Sequence, residues 1–208
     1  MTDISVIIPK SRESDLTKEW CLKQLGGFNH EVIVSPTWRD GLKRAKGEFV
    51  TMLEKDCVLG PNYFVTLMRV FRSNSSFRKL AVVAPAVGVE SWTKKIYGYK
   101  LKSNYAVPLM APASSDPHFV QIAYLPGAII RRSALHQMSP GEKDLMLDSF
   151  NFSIYFWNSG NMVLLHPGVT YVSTDEELDM NYQINEPGNW DELTKMFRRE
   201  MIGRELED

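Results

Sequence analysis

Cysteine is scarce in this 208-residue chain, with only Cys21 and Cys57. Two thiols cannot form a disulfide framework, and a reduced, cytoplasmic setting is the expectation. Cys21 falls in a helical pattern and Cys57 follows an acidic stretch, so both read as core or near-core thiols rather than nucleophiles. Histidine is scarce as well, and none of the four has zinc-ligand spacing to a cysteine or another histidine. Long hydrophobic runs are missing. The longest, Leu80–Val89, is ten residues and contains Pro85 and Gly88, too short to cross a bilayer. The first residues lack the basic and apolar pattern of a signal peptide. Net charge is small, at −1, but it is a cancellation: residues 1–174 hold 20 basic and 14 acidic side chains, residues 175–208 hold 4 and 11. The sum excludes a uniformly basic nucleic-acid binder, whereas the distribution leaves the first 174 residues suited to an anionic ligand.

What is present is the pattern of a layered α/β protein. Ile4-Ser5-Val6-Ile7-Ile8, Glu31–Val34 and Glu48–Leu53 are short, nearly continuous apolar runs, as in strands buried on both faces. Leu16, Trp20, Cys21 and Leu25 recur at helical spacing behind a candidate N-cap, Ser14, and Gly26-Gly27 closes the helix. A short helix from Asp40 to Lys46 carries Leu42 and Ala45 on one face. Pro61 stands at a helix start, with Phe64, Leu67, Met68 and Phe71 following at i, i+3, i+4 and i+7. Leu80–Ala84 is a further strand. Residues 90–118 break the rhythm with Trp92, Tyr97, Tyr99 and Tyr105 among Lys94, Lys95, Lys100 and Lys102, and read as an insertion or long functional loop. Beyond it the pattern predicts strands at Phe119–Leu125, continuing through Ile129-Ile130, and at Met162–Leu165 and Val169–Val172. It predicts helices at Asp144–Asn158 and around Trp190, Leu193, Phe197 and Met201. The alternation implies a mostly parallel mixed sheet flanked by helices in one domain.

The most informative local feature is Leu53-Glu54-Lys55-Asp56, at the carboxyl end of a buried strand. Ligands of open parallel sheets bind at those ends. Two carboxylates two residues apart at such a turn can both reach one hard cation, which takes oxygen ligands and bridges to a diphosphate. Taken alone, the same residues also fit an acidic turn in which Asp56 caps the chain from Cys57 onward.

The motif has company. "ISVIIPKSRESDL", "EVIVS", "GLKRAKGEFVTMLEKDCVLGPNYF" and "YLPGAIIRRSAL" follow one another in order. Over residues 3–173 this set resembles a family-2-like glycosyltransferase with a GT-A fold. The Ala-x-Gly-Glu that leads a strand into an acidic metal motif is the most specific piece. The resemblance implies a nucleotide-sugar-binding half at 1–89, an acceptor half at 90–174, and an acidic extension with an amphipathic helix at 175–208. It places Glu54 and Asp56 at the positions that hold Mn²⁺ or Mg²⁺, with Glu54 in place of the usual first Asp and Lys55 available to donor phosphate. It places Pro9, Arg12 and Glu13 in the turn that holds the nucleotide. Arg39 and Lys43 lie just beyond the second strand, within reach of phosphates or else solvated. The family often has an Asp directly after that strand; here Ser35-Pro36-Thr37 stands instead.

The family's general base maps to Asp148, with Asp144 and Glu142 as neighbouring candidates; a charged residue on an apolar helix is the plainer reading of Asp148. The late metal-binding His of the family maps to Ser173, while His166 reads as a strand-end histidine. The activity that the resemblance implies is transfer of a single sugar from a nucleotide-diphosphate sugar to an acceptor hydroxyl, with inversion as the expected stereochemistry. The acceptor is left open between a glycan, a protein and a modified nucleic acid. Two other readings are weighed beside it. A sugar nucleotidyltransferase would have a Gly-rich loop after the first strand, and Pro9–Ser14 has no glycine. A non-catalytic nucleotide-sugar- or carbohydrate-binding module would tolerate the altered acidic positions.

Overall fold

Strand β1 (Ile4–Pro9) is apolar but for Ser5 because it is covered on both faces: Ile4, Val6, Ile7 and Ile8 are all buried. The structure, a computed structural model, describes residues 2–10, 14–54, 57–73, 79–89, 94–102, 105–135, 145–173 and 182–183. At 14–17, 89, 102, 105, 145–148 and 182–183 it describes the backbone alone. Strands β2 (His30–Ser35) and β3 (Phe49–Met52) lie on either side of β1 and parallel to it. Helices α1 (Ser14–Gln24) and α2 (Trp38–Arg44) are the crossovers, each packed on β1. Of the apolar positions read on α1, Cys21 is buried, as is Leu25 just past its end, whereas Trp20 is 51% exposed.

After β4 (Val58–Leu59), helix α3 (Tyr63–Ser73) buries Phe64, Leu67, Met68 and Phe71, the four positions its spacing predicts. Its start differs from the expectation. Pro61 and Asn62 form a turn, Asn62 takes a left-handed φ of 54°, and the helix begins at Tyr63. Asn tolerates that conformation better than most residues.

Strand β5 (Leu80–Val89) runs through Pro85, five residues beyond the predicted stretch. The remaining elements are β6 (Lys94–Ile96), β7 (Tyr99–Lys102), β8 (Tyr105–Pro108), β9 (His118–Phe119), β10 (Ile129–Arg131), α4 (Leu145–Asn158), β11 (Met162–Val172) and β12 (Tyr182–Gln183). The main sheet has the order β2-β1-β3-β10-β5-β11-β4, with β6 on β5 and β9 on β11. Its long pairings, β1 with β2 and β5 with β11, are parallel; β10 enters antiparallel between β3 and β5. The two strands predicted at 162–165 and 169–172 are one strand. Pro167-Gly168 is absorbed as a bulge between His166 and Thr170, opposite Pro85 and Ala86.

The strand predicted at Phe119–Leu125 is corrected. Only His118–Phe119 pairs as a strand, and the chain from 120 to 128 is irregular yet buried. Buried backbone must find partners; β11, β7 and β3 supply some, through Val163 O, Tyr99 N and Met52 O, and α4 supplies others. Ser149 Oγ accepts from Leu125 N at 2.8 Å and Ser153 Oγ from Ala123 N at 3.2 Å, one helical turn apart. The insertion at 90–118 is also partly regular. Strands β7 and β8 form a hairpin, and the chain beyond β11 returns to add β12 at its edge, making a second, three-stranded sheet. Among the described residues no helix is long and apolar enough to cross a membrane. The predicted C-terminal helix lies outside the described residues.

Candidate active site

Strands β1, β2, β3, β5 and β11 all run in one direction. Their carboxyl ends therefore bring Pro9, Ser35, Leu53-Glu54, Gly88 and Ser173 to one edge of the sheet. Main-chain bonds tie this edge together: Lys10 N donates to Ser35 O at 2.8 Å, Leu53 N to Ile7 O at 2.9 Å and Ser173 N to Gly88 O at 3.3 Å. Trp38, buried at the start of α2, donates from Nε1 to Leu53 O at 3.3 Å and so holds the last residue before the acidic turn.

Glu54 is the centre of the edge. It is a carboxylate only 5% exposed. Tyr124 Oη donates to its Oε1 at 2.8 Å. Tyr171 Oη and Ser173 Oγ donate to its Oε2 at 2.9 and 2.8 Å. Tyr171 Oη also accepts from Glu54 N at 2.9 Å, which closes a ring between the main chain and side chain of one residue. Burial, with Cys57, Glu54 and Tyr124 nearby, raises the Tyr171 phenol well above its usual value, so it stays a donor. Gly127 makes room for this ring. It adopts φ of +79°, and a Cβ there would lie 2.4 Å from Tyr171 Cδ2 and 2.6 Å from Tyr63 Oη. Its own N–H donates to Met52 O at 2.8 Å and its carbonyl accepts from Tyr63 Oη at 2.6 Å. The glycine of "YLPGAII" is thus the close-approach point between the 120–128 segment, α3 and β11.

The sequence-derived positions divide into three groups. Glu54 and Ser173, 119 residues apart, are in direct contact. Pro9 ends β1 on the same edge, while Arg39 and Lys43 stand on the exposed face of α2, where Lys43 Nζ faces Asp40 at 3.5 Å. An exposed pair of this kind contributes little to stability. Arg12, Glu13, Lys55, Asp56, Glu142 and Asp144 lie outside the described residues, as does the side chain of Asp148, whose backbone is in α4. His166 sits within the β11 bulge, where its Nδ1 accepts from Gly168 N at 3.2 Å and burial lowers its pKa. The Ser35 hydroxyl, where the resemblance expects an Asp after the second strand, is 1% exposed and has no partner among the described residues. Tyr99 of the insertion is in the core, 6.2 Å from the Phe150 ring, so it is not a stacking platform; Tyr97 is half-buried, and Lys94 and Lys100 are exposed.

Sequence reading missed Tyr124 and Tyr171, which finish Glu54's hydrogen bonding. Only the Tyr of "YLPGA" carried a signal. It also missed what the Ala-x-Gly-Glu and Arg-Arg motifs do for each other. Arg132 donates from N to Glu48 O at 2.9 Å and from Nε to Gly47 O at 2.7 Å, and Arg131 Nη1 lies 2.8 Å from Glu48 Oε1. These two motifs clasp one another at the amino edge, opposite Glu54. A shallow hollow of about 340 Å³ there is lined by Asp3, Glu48, Phe71, Arg72 and Arg131. Cys21 and Cys57 are free thiols, each pushed up to about 12 chiefly by burial, and so are not nucleophiles at neutral pH.

A carboxylate and three hydroxyls make an all-oxygen set, the chemistry of a hard divalent cation rather than of zinc or iron. Among the described residues no three His, Cys, Asp or Glu side chains gather around one point. The family resemblance expects Glu54 and Asp56 to hold such a cation, and Asp56 lies outside the described residues.

No protein-family model matches the chain, and no curated protein matches it in sequence. Solved structures match it in fold. S. aureus TarS aligns with a TM-score of 0.51 at 13% identity, over 85% of this chain and 37% of that one. GalNAc-T7, crystallised with UDP, GalNAc and Mn²⁺, aligns at 0.52 and 13%, over 89% and 45%. A197 from STIV aligns at 0.51 and 12%, over 88% and 95%. The chain thus spans less than half of TarS and GalNAc-T7 and nearly all of A197. Its fold is GT-A-like, that of glycosyltransferases, as the ordered motifs implied.

Proposed function

We propose that this chain is a glycosyltransferase that moves a single sugar from a nucleotide-diphosphate sugar to an acceptor hydroxyl. The observation that carries the reading is the meeting of Glu54 and Ser173 at the carboxyl edge of a GT-A-like sheet. These are two positions that the family resemblance assigns to one cation site, and they lie 119 residues apart in the chain. The likeness in fold to GalNAc-T7 with UDP, GalNAc and Mn²⁺ supports the donor class.

In this reading the nucleotide lies along the edge from Pro9 and the Arg12-Glu13 turn toward Glu54. Its diphosphate meets Asp56, Lys55 and the basic side of α2 with Arg39 and Lys43. Bound Mn²⁺ or Mg²⁺ supplies charge neutralisation to the leaving diphosphate. Asp148, on the helix that braces the 120–128 segment, takes the acceptor's proton as its oxygen attacks the anomeric carbon. The bond to the diphosphate breaks on the opposite face, which gives inversion. Residues 90–174 form the acceptor side, where exposed Lys94 and Lys100 favour an anionic or phosphorylated acceptor.

The test is a thermal-shift panel of nucleoside diphosphates and nucleotide sugars with and without Mn²⁺, followed by donor-sugar hydrolysis. A ligand at 100 times its Kd stabilises by about 2.7 kcal/mol, which is roughly 5–10 °C for a chain of this size. One base is expected to give such a shift only with Mn²⁺, and Asp56→Ala to remove it. An Asp56→Ala protein equal to wild type would disprove the metal role. A shift without any hydrolysis or transfer would instead favour a binding module.

A further inference from the structure

The amino edge of the sheet carries a second group of charges, at the far end of the strands from Glu54. Asp3 stands just before β1, Glu48 just before β3, Arg72 in the last turn of α3 and Arg131 at the end of β10. Together they line the hollow of about 340 Å³, a volume within the range of small-molecule sites. Two of these charges cancel. Arg131 Nη1 lies 2.8 Å from Glu48 Oε1, and its Nε donates to Leu80 O at 3.3 Å. Its guanidinium also rests 5.1 Å from the centre of the Phe49 ring and 5.7 Å from that of Phe71, and the two rings are 4.7 Å apart. This side of the hollow is a fixed wall, neutral in sum and aromatic behind.

The other two charges are left over, and they are opposite in sign. The Arg72 guanidinium lies 5.4 Å from the centre of the Phe28 ring and has no carboxylate within ion-pair distance among the described residues. Asp3 Oδ2 accepts from Asn29 N at 3.2 Å, and Oδ1 has no partner among the described residues. The two line one hollow without pairing with each other. A simple anion there would meet Asp3, and a simple amine would meet Arg72. A molecule that carries both charges satisfies both walls. The planar fork of Arg suits a carboxylate, and a carboxylate accepts from an ammonium.

We propose that this hollow binds a small zwitterion of the α-amino-acid type, with its carboxylate on Arg72, its ammonium on Asp3 and its apolar side chain against the Phe49–Phe71 wall. Solvent reaches both charged groups, so the binding is weak and its selectivity comes from the pair of charges rather than from either one.

The experiment titrates the full chain, labelled with ¹⁵N, with L-phenylalanine and with its two halves. One half, 3-phenylpropanoate, lacks the ammonium; the other, 2-phenylethylamine, lacks the carboxylate. Amide shifts report both place and affinity, without nucleotide or metal, so the result is separate from any transferase activity. L-phenylalanine should shift the amides of Asp3, Glu48, Arg72 and Arg131. It should bind about 5-fold more tightly than either half, the scale of one solvent-exposed ion pair. Arg72→Gln should bring its affinity down to that of 2-phenylethylamine on the wild type, and Asp3→Asn to that of 3-phenylpropanoate. Equal affinity for L-phenylalanine and one of its halves would overturn the proposal, as would the absence of any saturable shift. Shifts confined to the carboxyl edge, or displacement of L-phenylalanine by UDP with Mn²⁺, would put the ligand at the opposite end of the strands and overturn it too. Should Asp3→Asn not fold, the three ligands on the wild type and Arg72→Gln carry the comparison.

Discussion

At the residue scale, a few small side chains decide what the larger ones can do. Gly47 lets the loop before β3 approach the β1 backbone, since a Cβ there would lie 2.6 Å from Ser5 N and 2.8 Å from Ile4 C. Gly127 does the same for the Glu54 cluster. Gly127→Ala should lose about 3 kcal/mol or more in urea denaturation, because the new methyl meets Tyr171 and Tyr63 while φ of +79° strains any L side chain. Gly26→Ala is the matched control: nothing lies within 4 Å of its Cβ, and its change should stay within about 0.5 kcal/mol. The two glycines are indistinguishable by composition. Only the ordered motif "YLPGAII" marked one of them.

At the scale of elements, the sequence was most readable where one period ran uninterrupted. β1, β2, β3 and the buried face of α3 follow from their patterns because burial on one or both faces leaves a repeating signature. It was least readable where side chains of one element complete the backbone of another. The 120–128 segment is apolar like a strand, but it meets its neighbouring strands only at single points and takes further bonds from Ser149 and Ser153, a relation no local period encodes. Of the candidate site, the acidic turn and the match of Ser173 to a site position came from motif order, whereas the bonds of Tyr124 and Tyr171 to Glu54 came from the fold. The start of α2 offers a check on how local signals set this edge. Thr37 has extended backbone angles and its Oγ1 accepts from Asp40 N at 3.1 Å. Thr37→Ala should cost about 1 kcal/mol of stability in chemical denaturation, and Thr37→Ser should retain most of it. Equal losses in both would show that the methyl group, not the cap, is what matters.

At the scale of the whole molecule, the near-zero net charge conceals both a basic body and a buried set of neutral acids. Cys21, Cys57, Tyr63 and Tyr171 all have raised pKa values, in each case chiefly through burial. Cys57 and Cys21 act on Tyr63, and Cys57 and Glu54 on Tyr171, so the four are electrostatically one neighbourhood under the acidic turn. The consequence for pH is fixed in sign. An unfolded thiol ionises near its model value of 9.0, but the folded thiols hold their protons to about 12. Above pH 9 the unfolded state therefore binds fewer protons than the folded state, and stability falls as pH rises. The contribution is fully present below about pH 9 and is lost toward pH 12, at about 1.4 kcal/mol per pH unit for each thiol. Urea denaturation between pH 7 and 11 should show a plateau and then a falling limb, and Cys21→Ala should make that limb shallower even if it lowers the plateau. A stability that stays level from pH 9 to 11 would mean that these thiols are not held neutral by the fold. The Glu54 cluster would then sit in a wetter environment than its three hydroxyl bonds imply.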